Sequence, residues 1–292
     1  VTVSGCIFDS NTTLNTGGAL YLYVDTDDTL LTDCTFTANS TTGDGGAIRA
    51  GGLNLAQFTG CDFAGNHADA DGGAVSFFES VGLTADCTFV DNTCGSRGGA
   101  VYGRIIMMTF DGCTFSGNTS TAQGGGLAFK EGSYPDIVEC TIHENSAQMG
   151  GGVYSDASTG AMRATTIEGN SAVTGGGIYF QGDGGLIEET IIAFSAQGNA
   201  ITVSGPGPEI THCCVFGNAA GDSLGGHYHD NLFLDPLFCE AANDDYTLCA
   251  DSPCAEPNNV WDLLIGAHDV GCPDCGDPVD DVSWGTIKAM FR

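Results

Sequence analysis

The chain has 292 residues, with 45 Gly, 8 Pro and 14 Cys, and its 7 Lys and Arg stand against 37 Asp and Glu for a formal charge of −30. At that charge a nucleic-acid backbone is repelled, which argues against DNA or RNA as a partner. The hydrophobic share of 42% is that of a folded chain rather than an acidic disordered tail, and no apolar run is long enough for a transmembrane helix.

The first residues, VTVSGCIFDS, are neither a basic leader nor an apolar signal segment, and Val1 already sits inside a repeat, as in a mature chain or a fragment. Two phrases then recur. A Cys-x-Phe-x-x-Asn phrase starts at Cys6, Cys34, Cys61, Cys87 and Cys113, continues as CTIHEN at Cys140, relaxes at Thr165 and Thr190, and returns with Cys213 and Asn218. A Gly-Gly-[Ala/Gly]-apolar phrase starts at Gly17, Gly45, Gly72, Gly98, Gly124, Gly150 and Gly175, degenerates at Gly198 and ends at Gly225. Copies lie 23 to 28 residues apart, which predicts a solenoid. Segments such as GGALYLYV and GGGIYF are short, apolar and bounded by Gly, Asn and Asp, so each period reads as strand and turn. The expected fold is all-β, a single-stranded parallel β-helix of about nine to eleven coils stacked ~4.8 Å apart.

Each row has an expected task. Residues two apart in a strand share a face, so Cys6, Cys34, Cys61, Cys87, Cys113, Cys140 and Cys213 should face the core beside the Phe row, with Thr165 and Thr190 filling the same slot. Asn11, Asn39, Asn66, Asn92, Asn118, Asn145, Asn170 and Asn218 fall where the strand must turn. There Asn tolerates the left-handed region, and its amides can satisfy turn backbone groups. The Gly pair supplies a positive φ or a close backbone pass at another corner.

The repeat body is expected over residues 1–230, irregular final coils and a C-terminal cap over 231–272, and a linker with a short terminal segment over 273–292. An open solenoid end exposes edge groups, so a cap is required. Cys239, Cys249, Cys254, Cys272 and Cys275 in this tail are disulfide candidates. The stacked ladder cysteines are expected to stay thiols, because parallel register does not set a disulfide dihedral. Cys-Pro-Asp-Cys at Cys272 is half of a redox or zinc motif without a second ligand pair at finger spacing. The last stretch, SWGTIKAMFR with Trp284, Lys288 and Arg292, would dock on the body or serve as a recognition tag.

Phrases such as CTFTANSTTGDGGAI and CDFAGNHADADGGAV resemble the repeats of chlamydial polymorphic outer-membrane proteins and of bacterial secreted right-handed parallel β-helix proteins of the pectate-lyase-like superfamily. DPLFC, SPC and IGAHDVGC resemble the closing segment of such secreted proteins. The resemblance implies a right-handed helix and an extracellular or cell-surface protein. It leaves function open, since pectin lyases, polygalacturonases and adhesins share the fold.

A lyase of that superfamily needs a basic proton abstractor, and a hydrolase needs paired carboxylates. Arg49, Arg97, Arg104, Lys130 and Arg163 share no obvious coil position with an acidic cluster, so the sequence points away from an enzyme. The reading it favours is a non-catalytic structural or adhesive β-helix, with polysaccharide, cell envelope or self-association as partners. A glycan-binding module is an alternative, and a polysaccharide lyase or glycoside hydrolase is another. For glycan binding, Tyr21, Arg49, Tyr102, Tyr154, Tyr179 and His229 occupy an outward position after the Gly corner and could form a stacking row for sugar rings, although such a ladder also stabilises strands without a ligand. Asp25, Asp27 and Asp28 in one loop, and Asp69 and Asp71 in another, suit weak calcium binding or a solvated acidic surface. No other cofactor is expected.

Overall fold

The computed structural model describes residues 1–23, 28–273 and 275. Asp25 and Asp27 of the first acidic loop, and Trp284, Lys288 and Arg292 of the terminal segment, lie outside the described residues.

A glycine pair opens most coils, and its two members do different things. Gly45 takes φ 72°, where a Cβ is costly, while a Cβ on Gly46 would stand 1.9 Å from the carbonyl oxygen of Gly73 in the next coil. Four short strands follow, for example Ile48–Gly51, Ala56–Thr59, Asp62–Ala64 and His67–Ala68. Each pairs in parallel with its counterparts one coil away, so that Phe63 faces Phe36 on one side and Phe89 on the other. The chain is therefore an all-β, right-handed parallel β-helix of about ten turns. Among the described residues the first two strands of each coil share a 16-stranded sheet, the third lies in a nine-stranded sheet and the fourth in a seven-stranded one. In the late coils the first two strands fuse into Ile178–Glu188 and Ile201–Thr211.

The core is built from stacked copies. Phe8, Phe36, Phe63, Phe89 and Phe115 form a column with ring centroids 4.7 to 4.9 Å apart, and Ile142, Ile167, Ile192 and Val215 continue it. Beside them run the ladder cysteines, all of them thiols. Cys140 Sγ donates to the Val138 carbonyl at 3.2 Å, and the hydroxyls of Thr165 and Thr190 donate to the equivalent carbonyls of Arg163 and Glu188 at 2.9 Å. Thr thus replaces Cys without orphaning a buried donor. Burial pushes the Cys213 thiol up to about 12.

The Asn corner differs from the sequence expectation in one respect. The left-handed residue is the one before each Asn, as at Ala38, Gly65, Asp91 and Gly117, and not the Asn itself. That leaves the Asn side chain pointing into the stack as a fully used amide. Asn92 Nδ2 donates to Asn118 Oδ1 at 3.0 Å and to the Phe63 carbonyl at 2.9 Å, and the Asn92 N–H also donates to Asn118 Oδ1. The ladder runs unbroken from Asn11 to Asn170. Ser195 interrupts it, and the N–H of Ser195 donates to Asn218 Oδ1 instead.

His227–His229 is the last strand stacked on the coils, and after a parallel bridge from Leu232 to Cys214 the tail stops stacking. It folds back along the outer face of the nine-stranded sheet, where Leu248, Cys254, Ala255 and Ile265 bury Ile191, Ala193 and Cys214. Outward positions of that sheet are Thr35, Asp62 and Thr88 in early coils and Ile191 and Cys214 in late ones, so the strands themselves mark where they are covered. Gly266 is required by this docking, since a Cβ there would meet Ile191 Cδ1 at 2.6 Å. Disulfides join Cys239 to Cys272 and Cys249 to Cys275. Cys254, a disulfide candidate by sequence, is a buried thiol, because its side chain is spent packing against the body.

Candidate functional site

The outward row after the Gly corner is not an open stacking surface. Its register runs Tyr21, Arg49, Ser76, Tyr102, Ala128, Tyr154, Tyr179 and Thr202. Tyr21 is 59% exposed, but Tyr102 and Tyr154 are 6% and 1% exposed. The tight Gly turn folds the preceding residue over the row: Arg97 Nη1 donates to Tyr102 Oη at 3.3 Å, and Met149 packs on the Tyr102, Ala128 and Tyr154 cluster. Tyr154 in turn stacks on the half-buried Tyr179 with centroids 5.4 Å apart. Arg49 lies 3.8 Å from Asp44 and donates to the Ser76 carbonyl. His229 leaves the row altogether. Its strand pairs with the second half of Ile201–Thr211, opposite Thr211, and its ring is held between Glu209 and Asp230.

The described acidic candidates, Asp28, Asp69 and Asp71, are likewise not brought together. Asp28 is exposed and its carbonyl takes the terminal amine of Val1. Asp69 turns outward to His67 Nε2 at 3.0 Å, whereas Asp71 turns toward Arg97 at 3.4 Å. The basic side chains are also committed. Arg104 pairs with Glu131, Lys130 with Asp156 and Arg163 with Glu188, each from one coil to the next, so every described Lys and Arg has a carboxylate partner.

The sequence reading missed a groove on the second-strand face. Cross-coil register places Leu83, Thr109 and Asp136 side by side as its floor and Val81 beside Met107 as its wall. The turn after Leu127–Lys130 swings Tyr134 over them, anchored by its N–H on the Ile106 carbonyl. The groove holds ≈ 530 Å³, and beside it a second hollow of ≈ 310 Å³ shares Val81, Met107 and Tyr134. Met107 and Tyr134 are 59% and 53% exposed, an apolar and aromatic rim on an otherwise acidic surface. The available signal was the pair of phrases RIIMMTF and EGSYPD, which stand between the Gly and Cys phrases of consecutive coils.

A second cluster lies under the folded-back tail. Tyr246 Oη is 3.1 Å from both His143 Nδ1 and Glu168 Oε2, and Thr141 Oγ1 is 2.8 Å from His268 Nε2. Burial raises Glu168 to about 7, with Glu144 and Asp244 adding to the shift, and burial lowers both His143 and His268. His143, Glu144 and Asp244 present ligand atoms within 4.8 Å of one another. Tyr246 is 4% exposed and hydrogen-bonded to His143, so the cluster fastens the tail to the body.

The coil geometry agrees with the family comparison. The family described as right handed beta helix region matches residues 86–235, more than half of the chain. The chain belongs to that family. A second match covers residues 33–51 of this β-helix protein, to the Chlamydia polymorphic membrane protein repeat. No curated protein and no solved structure matches the β-helix chain. No helix among its described residues is long and apolar enough to cross a membrane.

Proposed function

We propose that this β-helix is an extracellular, cell-surface adhesive protein that holds neutral polysaccharide in the groove under Tyr134 without cleaving it. The observation that carries the reading is the groove itself. Tyr134 and Met107 offer apolar faces for the C–H face of a sugar ring, and Thr109, Thr159 and Asp136 offer hydroxyl and carboxylate partners for its edge. The charge of −30 selects against acidic polymers and leaves neutral ones. Two disulfides suit an oxidising extracellular setting, and the polymorphic membrane protein repeat suits a surface location. Cations committed to carboxylate partners favour binding over acid–base chemistry, with Asp136 in the groove and Glu79 in the adjoining hollow.

The test is retention on a panel of neutral and acidic polysaccharides, with mass spectrometry of the soluble fraction. Retention on neutral polymers should fall about tenfold in Tyr134→Ala, the worth of one aromatic stacking contact. Released oligosaccharides would overturn the non-catalytic reading. Absence of retention, or retention unchanged by the substitution, would remove the groove from the account.

A further inference from the structure

The four disulfide cysteines are placed more closely than two disulfides need. Cys239, Cys249 and Cys272 lie on Phe238–Glu240, Asp245–Cys249 and Val270–Cys272, three neighbouring strands of one small sheet. Cys275 follows Cys272 by three positions, and their sulfurs, which belong to different disulfides, are 3.6 Å apart. All four sulfurs lie within 4.8 Å of one another. Four thiolates around one tetrahedral zinc-class ion, with metal–sulfur bonds of ~2.3 Å, have their sulfurs ~3.8 Å apart. The Cys272 and Cys275 sulfurs are already at about that spacing, and opening the two disulfides lets the bonded pairs move apart to it within the same 4.8 Å cluster. A two-residue spacing, as between Cys272 and Cys275, is common between two thiolates on one zinc ion, and their sulfurs already lie side by side. The sheet supplies the second pair, Cys239 and Cys249, which sequence spacing hides.

We propose that in the reduced protein Cys239, Cys249, Cys272 and Cys275 form a tetrathiolate site for a divalent zinc-class ion, so that the cap is fastened either by two disulfides or by one metal. Opening the disulfides consumes two equivalents of an external dithiol. Each gives two electrons and two protons to one Cys–Cys bond and closes to its own disulfide. The four thiols then give up four protons as the divalent ion binds, leaving a site of net charge 2−. Soft sulfur ligands select zinc, cobalt or cadmium over calcium or magnesium. The ladder thiols do not compete, because each is buried between its neighbours, apart from the half-buried Cys6.

The full chain is reduced with a dithiol, desalted without oxygen and titrated with Co²⁺. The expected result is one Co²⁺ per chain with intense sulfur-to-cobalt charge-transfer bands, displaced by Zn²⁺. Cobalt at the His143, Glu144 and Asp244 group would lack those bands, since it offers no sulfur. Iodoacetamide labelling with peptide mapping gives a second readout on the unaltered chain: Zn²⁺ should protect Cys239, Cys249, Cys272 and Cys275 and no other cysteine. The double substitution Cys272→Ser with Cys275→Ser should abolish the bands, and Cys254→Ser should keep them. No charge-transfer band, a band that survives in the double variant, or protection at other cysteines would overturn the site.

Discussion

Asn92 illustrates how much of the coil rests on one amide. Its Oδ1 accepts from the N–H and the Nδ2 of Asn66, and its Nδ2 serves Phe63 and Asn118. Asn92→Ala therefore orphans several buried polar atoms at once, at ~1–3 kcal/mol for each left unsatisfied. The expected loss of stability in a denaturant titration is about 2–4 kcal/mol, allowing for relaxation of the corner. Phe89→Ala opens a hole between two stacked rings and should cost ~3–5 kcal/mol. Thr165→Cys, by contrast, exchanges one ladder residue for another that donates to the same carbonyl, and should stay within about 1 kcal/mol. If Asn92→Ala proved as mild as a surface change, the amide ladder would be an accompaniment to the fold and not a support.

At the scale of elements, docking of the folded-back tail depends on pH through groups on both surfaces. Glu168 faces Tyr246, Glu144 and Asp244, while His143 faces Tyr246 and Asp244, and His268 lies near Asp245 and Asp269. Glu168 has a docked pKa of about 7 against an ordinary 4.5, so the docked state holds the proton more tightly. Its contribution is complete below 4.5 and is lost as pH rises through about 7. The histidines act oppositely: both are lowered from 6.5, so their contribution is complete above 6.5 and is lost as pH falls through their docked values. Of these three groups only the glutamate loses its contribution as pH rises from 6.5 through about 7, so amide exchange over residues 238–272 should quicken across that window. Glu168→Gln should abolish that rise. An exchange rate that stays flat there in the unaltered chain would mean that solvent already reaches the carboxylate. This seam is also where the sequence was least legible. The coils were readable because each repeats the same phrase in register, so Cys, Phe, Asn and Gly-Gly rows announced strand, core and corner. Tyr246 meets His143 and Glu168 only through the return of a non-repeating tail, and no spacing foretells that. The Tyr102 and Tyr154 row misleads for a local reason: strand alternation gives its direction correctly, but the side chain before the Gly turn bends over it.

At the scale of the whole molecule, charge decides how the rod responds to its surroundings. Residues 1–230 carry 25 Asp and Glu against 5 Lys and Arg, and that net −20 over about ten turns leaves about two uncompensated charges per ~4.8 Å turn, while the ~10 Å Debye length at 0.1 M salt spans about two turns. Repulsion therefore acts between neighbouring turns all along the stack. Against it stand inter-coil pairs such as Arg104 with Glu131 and Lys130 with Asp156, each worth no more than ~1 kcal/mol at the surface. Salt weakens both effects, but the repulsive charges outnumber the pairs and act over every turn. The melting temperature of the oxidised chain should accordingly rise when NaCl is increased from low to about 0.5 M, where the screening length falls to ~4 Å. Calcium should give the same rise at a lower concentration, because divalent ions neutralise neighbouring carboxylates together. Calorimetry across the salt series separates the two contributions. A melting temperature that fell with salt would show the ion pairs between coils to outweigh the repulsion, and the acidic surface would then be held together by its few cations.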